Sequence, residues 1–484
     1  MMADMNFAAL SVEIGIAVLM AAVLLLDLIL EKNAPRRILG GVTAVGLLAV
    51  LAGAVGVYPP DGGAVAFYAG HYIVDGYSVF FKMLFIVGML STVLFSMDYA
   101  EEVLPHRGEY YVLLLAALLG MCALASANDL MTAFVGLELM TVSFYALVAL
   151  RTDAPRSAEA GMKYLVFGAG STAALLYGMS LVYGMTGTML FQGIAQGYGM
   201  LFPLGLIGVV LMLTGFFFKL SIIPFHLWAP DVYEGAPAPV TGLLAMCSKA
   251  AGIAVLLRVL FVAFPVLAAY WAHLIAVLAA VSVVGGNLMA FRQTNIKRML
   301  AYSSIAQAGY MMSALVATNA AGIKAVLFYA MVYVFANVAA FVTVTYLEMK
   351  RGAADFDTVR GLAKESLLPA GLLMVALLTM AGLPPTAGFV GKIYIFSAVI
   401  DAGYLWLAGV GFVMSMASVY YYLLVIKEMY RDVELGEKEV KSKLALPLPA
   451  SAVGVLAVLC TLIVGIWAQP LSILSNIAVY TFMR

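Results

Sequence analysis

The chain has 484 residues, 64% of them hydrophobic and only 11% charged, with a mean hydropathy of +1.03 and a formal net charge of zero. Such a composition excludes a soluble globular protein and reads as a polytopic membrane protein. No basic stripe or aromatic-basic cluster points to a nucleic-acid partner. The three cysteines, Cys122, Cys247 and Cys460, stand singly in apolar runs without CxxC or Cys/His spacing. Neither a disulfide framework nor an iron–sulfur or zinc site is indicated, and no redox centre or other metal or cofactor site is evident in this chain.

Apolar runs of roughly 20 residues between polar or Gly/Pro breaks predict fourteen spans. Their limits are 8–30, 38–57, 77–97, 110–126, 129–150, 158–183, 203–232, 237–264, 267–290, 298–317, 320–347, 367–402, 404–428 and 446–468. The first lacks a basic leader and a small-residue cleavage site, so it is expected to be a retained helix. The seventh and twelfth are too long for one crossing and carry Pro224, and Pro384 with Pro385, near their middles, which predicts broken helices. Lys and Arg fall in alternate loops. One side collects 18 of the 26, among them Lys32, Arg151, Lys297, Lys438, Lys441 and Lys443, and the other has only Arg484. The positive-inside rule then puts both termini outside a bacterial cytoplasmic (inner) membrane.

An internal repeat is visible. AGMKYLVF at 160–167 matches AGIKAVLF at 321–328, keeping Lys163 and Lys324. The copies open the sixth and eleventh spans, an odd offset of five, so the second must be inverted relative to the first. The broken spans obey the same offset. The expected architecture is all-α, with 1–109 holding spans 1–3, 110–264 a first five-helix repeat (spans 4–8), 265–428 a second, inverted repeat (spans 9–13), and 429–484 a cytoplasmic loop and span 14.

Ionisable residues at bilayer depth cost about 2.5–3.5 kcal/mol each, so they call for a partner and a use. Glu138 lies near the middle of span 5, Lys219 in broken span 7 and Lys249 in span 8. A carboxylate approaching and leaving a buried lysine would change how tightly that lysine holds its proton, which suggests proton or cation movement; a static ion pair is the alternative. Lys392, seven residues beyond Pro385, suits an exit toward the outside or plain snorkelling. Ser303, Gln307 and Tyr310, at i, i+4 and i+7, form a polar stripe able to hold water or to glue helices. Gln307 stands roughly where the repeat puts Glu138. His226 could relay protons or satisfy carbonyls freed at the break, and Lys163 and Lys324 could be entrance residues or interfacial anchors. Glu13, Asp27, Lys82 and Arg258 read mostly as packing charges. GAGSTA at 168–173 mimics a dinucleotide motif but sits mid-membrane with no preceding strand.

FKLSIIPFHLWAPDVYEGAPAPVT, the Ser248-Lys249 helix, NIKRMLAYSSIAQAGY and GLPPTAGFVGK together resemble the antiporter-like membrane subunit N of proton-pumping NADH-quinone oxidoreductase, respiratory complex I. The resemblance covers essentially the whole chain and implies a proton-translocating axis of Glu138, Lys219, Lys249 and Lys392, with Lys392 passing protons outward. It also implies that flavin, iron–sulfur clusters and quinone belong to partner subunits, and that the partners are other membrane-arm subunits and the lipid bilayer. An Mrp-type or free-standing cation/proton antiporter is the alternative, and a scaffold held by buried charges a second one.

Overall fold

In a computed structural model the described residues are 6–31, 34–57, 63–197, 204–432 and 444–483. Lys32, Lys438, Lys441, Lys443 and Arg484 of the charge-asymmetry argument lie outside them. The apolar runs fold as helices because no other backbone satisfies its own polar groups in lipid. In chain order these are α1 (Ser11–Ile29), α2 (Arg37–Gly56), α3 (Gly76–Glu102), α4 (Arg107–Ser126), α5 (Leu130–Val148), α6 (Pro155–Thr186), α7 (Phe191–Gln196), α8 (Leu204–Leu220) and α9 (Trp228–Gly235). Next come α10 (Ala238–Leu243) and α11 (Lys249–Arg258), joined by a π-helical turn at Leu244–Ser248 and followed by another at Val259–Ala263. The chain continues with α12 (Ala268–Ala290), α13 (Ile296–Leu315), α14 (Ala320–Arg351), α15 (Phe356–Val359), α16 (Leu362–Glu365), α17 (Leu367–Ala381), α18 (Ala387–Asp401), α19 (Leu405–Tyr430), α20 (Leu448–Ile466) and α21 (Gln469–Phe482). Asp75, Asp129, Asn295 and Asn319 cap α3, α5, α13 and α14 through their side chains.

The protein is a mostly helical polytopic membrane protein. Among the described residues eleven helices are long and apolar enough to cross a membrane, or twelve if α15–α16 and α17, bent by 119°, count as one. The expected spans that fall short do so for local reasons. Span 7 is α8 of 17 residues, a reversal, and α9 of 8. Span 12 divides into α17 and α18, 15 residues each, around Gly382–Thr386. Span 10 is the 20-residue α13, whose polar stripe lowers its hydropathy. Three features went unforeseen: α7, the hairpin of β1 (Val65–Phe67) and β2 (Tyr72–Val74), and α21, which packs on α3 and α14.

The interior is the run from α10 through α11, wholly buried, and α14, nearly so, with α6 on the rim exposing Met162, Val166 and Tyr177. Helices close on one another through small residues. A Cβ on Gly178 of α6 would lie 2.4 Å from the Met212 nitrogen of α8, and one on Gly208 would lie 2.9 Å from the Gly178 oxygen. This contact sets α6 hard against the first broken span. The presumed packing charges are paired: Lys82 with Glu13, Arg36 with Asp27 and Arg258 with Asp75, each at 2.8 Å.

Candidate functional site

At the first break α8 stops at Leu220. Ser221 turns left-handed (φ 58°), Pro224 follows, and Trp228 Nε1 donates to the Phe218 carbonyl at 3.0 Å to close the reversal. The Leu220 carbonyl, no longer matched by a helical N–H, accepts from Lys249 Nζ at 3.0 Å, and the same ammonium donates to the Ser304 carbonyl of α13 at 3.0 Å. Lys219 Nζ donates to Tyr164 Oη at 3.1 Å, and the Tyr164 ring stacks on Trp228 with centroids 4.5 Å apart. Lys219 and Lys249 are 2% and 1% exposed.

Glu138 is half-buried on α5 and accepts from Thr172 Oγ1 at 2.9 Å. It makes no ion pair with Lys219, so the two stand apart, as in the withdrawn arrangement of the sequence reading and not as a static ion pair. Both groups are instead held by α6, through Tyr164 and Thr172, about two turns apart. A carboxylate and an ammonium tethered to one helix face, without touching, can interact through space while each keeps a neutral hydrogen-bond partner.

The second break repeats the first. Gly382 turns left-handed (φ 81°) three residues before Pro385, as Ser221 does three before Pro224. The freed carbonyls of Met380 and Ala381 accept from Lys392 Nζ at 3.0 and 2.8 Å, and Ser415 Oγ of α19 accepts from it at 2.8 Å. Lys392 is 3% exposed, with its Nζ 5.0 Å from the Tyr310 ring centroid, so it does not snorkel to a surface.

The stripe on α13 joins the two breaks. Ser303 Oγ and Tyr422 Oη share a hydrogen bond of 2.5 Å, and Gln307 Nε2 donates to Tyr422 Oη at 3.3 Å and to the Met380 carbonyl at 2.9 Å. Tyr329 Oη donates to Gln307 Oε1 at 2.5 Å. The carbonyl that holds Lys392 therefore also holds Gln307, and buried polar groups run from Lys249, past Ser304 and Ser303, to Lys392. A branch leads from Tyr310 through Asn287 to Tyr421.

The remaining candidates stand apart. His226 is buried beside the first break, with Nδ1 lacking a partner. Lys163 lies in a charged surface cleft of about 210 Å³, 2.6 Å from Asp231 and 2.8 Å from Glu159. Lys324 is half-buried over the Tyr394 ring at 5.3 Å. Lys297, assigned by sequence to a charged loop, is instead 4% exposed and ion-paired to Glu348. Sequence reasoning passed over Tyr164, Thr172, Tyr329, Ser415 and Tyr422. The signal for two of them was present, since Ser415, Ser418 and Tyr422 fall at i, i+3 and i+7, one polar stripe on an otherwise apolar helix.

Residues 127–418 match the family model described as NADH:quinone oxidoreductase/Mrp antiporter, TM. NADH-quinone oxidoreductase subunit N of Desulfitobacterium hafniense is 45% identical over 97% of this chain and 98% of that one. The chain belongs to the subunit N family of NADH-quinone oxidoreductases. A chain of respiratory complex I from Thermus thermophilus shares this family's fold with a TM-score of 0.81 and 36% identity, covering 95% of this chain and 97% of that chain. A chain of the Mrp complex from Dietzia sp. DQ12-45-1b superposes at a TM-score of 0.87 with 20% identity, over 99% and 98% of the two chains, and so shares the fold.

Proposed function

We propose that this chain is the antiporter-like membrane-arm subunit N of a proton-pumping NADH-quinone oxidoreductase, and that protons cross it along the buried axis from Lys219 through Lys249 to Lys392. The observation that carries the reading is the run of buried polar groups along α13 between the two breaks: Lys249 on the Ser304 carbonyl, then from the adjacent Ser303 a hydrogen-bonded chain through Tyr422 and Gln307 to the Met380 carbonyl that holds Lys392. Three lysines buried in apolar helices, each with hydroxyl or carbonyl partners, are poised to gain and lose a proton without losing their place. Glu138 acts on Lys219 from a distance, so redox work done in partner subunits, which hold the flavin, iron–sulfur clusters and quinone, changes the charge state of the axis electrostatically. His226, Lys163, Lys324 and the Asn287 branch serve as relays at its flanks.

Fourteen spans follow if α8 with α9, α13, and α17 with α18 each cross the membrane beside the eleven apolar helices. Spans 4–8 and 9–13 are then inverted repeats, supported by the left-handed residue three positions before the breaking proline in both. The divisions are 1–109, 110–264, 265–428 and 429–484, with both termini outside the cytoplasmic membrane. The test is purification of the tagged chain in mild detergent, followed by assay for flavin, iron–sulfur signals and NADH-driven quinone reduction, and by pumping assays on Lys219, Lys249 and Lys392 variants. Co-purifying redox activity and variants that assemble but fail to pump support the proposal. A chain that emerges without redox activity and exchanges Na⁺ or K⁺ for protons sinks it in favour of the Mrp-type antiporter.

A further inference from the structure

At the start of α13 and the end of α14 lies a buried ion pair that the translocation reading leaves unused. Glu348, in the last turn of α14, accepts through Oε2 from Lys297 at the start of α13, and through Oε1 from Tyr99 Oη of α3 at 2.5 Å and the Ala238 N–H at 3.2 Å. Lys297 Nζ also donates to the Ala236 carbonyl at 2.8 Å. The next residue, Arg298, holds Asp231 at 2.7 Å and Glu234 at 3.0 Å. Two consecutive basic residues thus clamp the corner between α9 and α10, from which the chain runs to Lys249. The pair is buried, 8% exposed for Glu348, yet both side chains line an open cleft of about 450 Å³ together with Arg151, Arg156, Glu234 and Asn295.

Buried hydroxyls also lie on α14, which carries Glu348, and on α9, whose far end the pair clamps. The buried Thr345 Oγ1 of α14 and Tyr233 Oη of α9 lack protein partners. Tyr233 and Tyr333 bring their hydroxyls beside Ser304, whose carbonyl holds Lys249. Unpartnered buried hydroxyls are places where water is bound.

We propose that Glu348, with Lys297 as its counter-charge, is the proton-accepting group at the cytoplasmic mouth of an uptake route that ends on Lys249. The proposal rests on the translocation reading above. A hydronium ion in the cleft gives its proton to the Glu348 carboxylate and leaves as water. Neutral Glu348 releases Lys297, which stays charged on the Ala236 carbonyl. The proton then passes through water held by Thr345, Tyr333 and Tyr233 to the unprotonated amine of Lys249, and the carboxylate re-forms with Lys297. A static strut would use the same contacts but never change charge.

The test uses the intact complex in liposomes, comparing Glu348→Gln, Glu348→Asp and Lys249→Ala for assembly, NADH-driven turnover and proton uptake across mildly acidic to mildly alkaline pH. Loss of a positioned proton acceptor is expected to slow uptake by at least about tenfold in Glu348→Gln, with a changed pH profile and recovery in Glu348→Asp. Assembled Glu348→Gln pumping like the wild type while Lys249→Ala is inactive overturns the proposal. Normal pumping by Lys249→Ala would instead break the underlying translocation reading. Should Glu348→Gln fail to assemble, the wild-type complex is treated with a hydrophobic carbodiimide and its adducts mapped by mass spectrometry. Labelling of Glu348 that rises as pH falls supports a carboxylate that protonates in place, and none at any pH overturns it.

Discussion

The two broken spans meet one physical demand with lysines placed differently. Each break frees carbonyls at bilayer depth that lipid cannot satisfy. At the first, the Leu220 carbonyl, four residues before Pro224, is taken by Lys249 from the following helix. At the second, the Ala381 carbonyl, four before Pro385, is taken by Lys392 from the downstream half of the same broken span, and the neighbouring helix supplies only Ser415, at 3.4 Å. The first break is therefore stitched to α13 through a third element, and a change at Lys249 is felt by both. The second is held by the lysine of its own downstream half, whose ammonium reaches back to the end of α17, while Gln307 of α13 shares the Met380 carbonyl. Under the proposed translocation reading, the first break suits a relay in the middle and the second a release site at the end.

The largest effect is expected from Lys249→Ala, which leaves the Leu220 carbonyl without a donor at about 1–3 kcal/mol, removes the second donor to the Ser304 carbonyl, and takes out a lysine of the proposed axis. Pumping measured with a pH-sensitive dye in proteoliposomes should be abolished; retention of half the wild-type rate would refute the role of the first break. Next, Gln307→Leu removes the side chain that shares the Met380 carbonyl with Lys392. It should lower pumping by on the order of tenfold while leaving assembly intact on native gels, since a polar link is lost and volume is kept. A double change then sharpens the comparison directly. Lys392→Ser with Ser415→Lys gives the second break the first one's arrangement, and it should pump more than Lys392→Ser alone; equal rates would mean that the origin of the ammonium, and not merely its presence, is required.

Much of this was legible in the chain, and the reasons differ by residue. Lysines in apolar runs announce themselves by cost, so Lys219, Lys249 and Lys392 stood out before any contact was known. Prolines mid-span marked both breaks, though the left-handed Ser221 carried no such sign. What sequence could not supply was distance. Glu138 and Lys219 share a depth, yet α6 stands as the holder of both, and a one-dimensional pattern ranks partners by depth and not by which helix faces them. Lys297 was misjudged because a basic residue at a helix start reads as surface until its buried glutamate, 51 positions away, is seen. Tyr329 and Tyr422 resemble ordinary core aromatics, since a tyrosine shows its hydroxyl's use only when the acceptor is in place.

The smallest expected effects separate geometry from charge at the two turns. Gly382 has φ 81°, and a Cβ there would meet Lys392 Cδ at 2.7 Å, so Gly382→Ala must strain the backbone and push the ammonium from the carbonyls it holds. Ser221 occupies the matching position at φ 58°, where an L side chain already costs roughly 1–2 kcal/mol, and its buried hydroxyl has no partner. Ser221→Gly should therefore raise the thermal midpoint of the purified complex slightly and leave pumping unchanged, whereas Gly382→Ala should lower both. Were Ser221→Gly to impair pumping in a fully assembled complex, the hydroxyl beside Lys219 would have to be counted among the groups that carry protons, and the strained serine would be there for its oxygen.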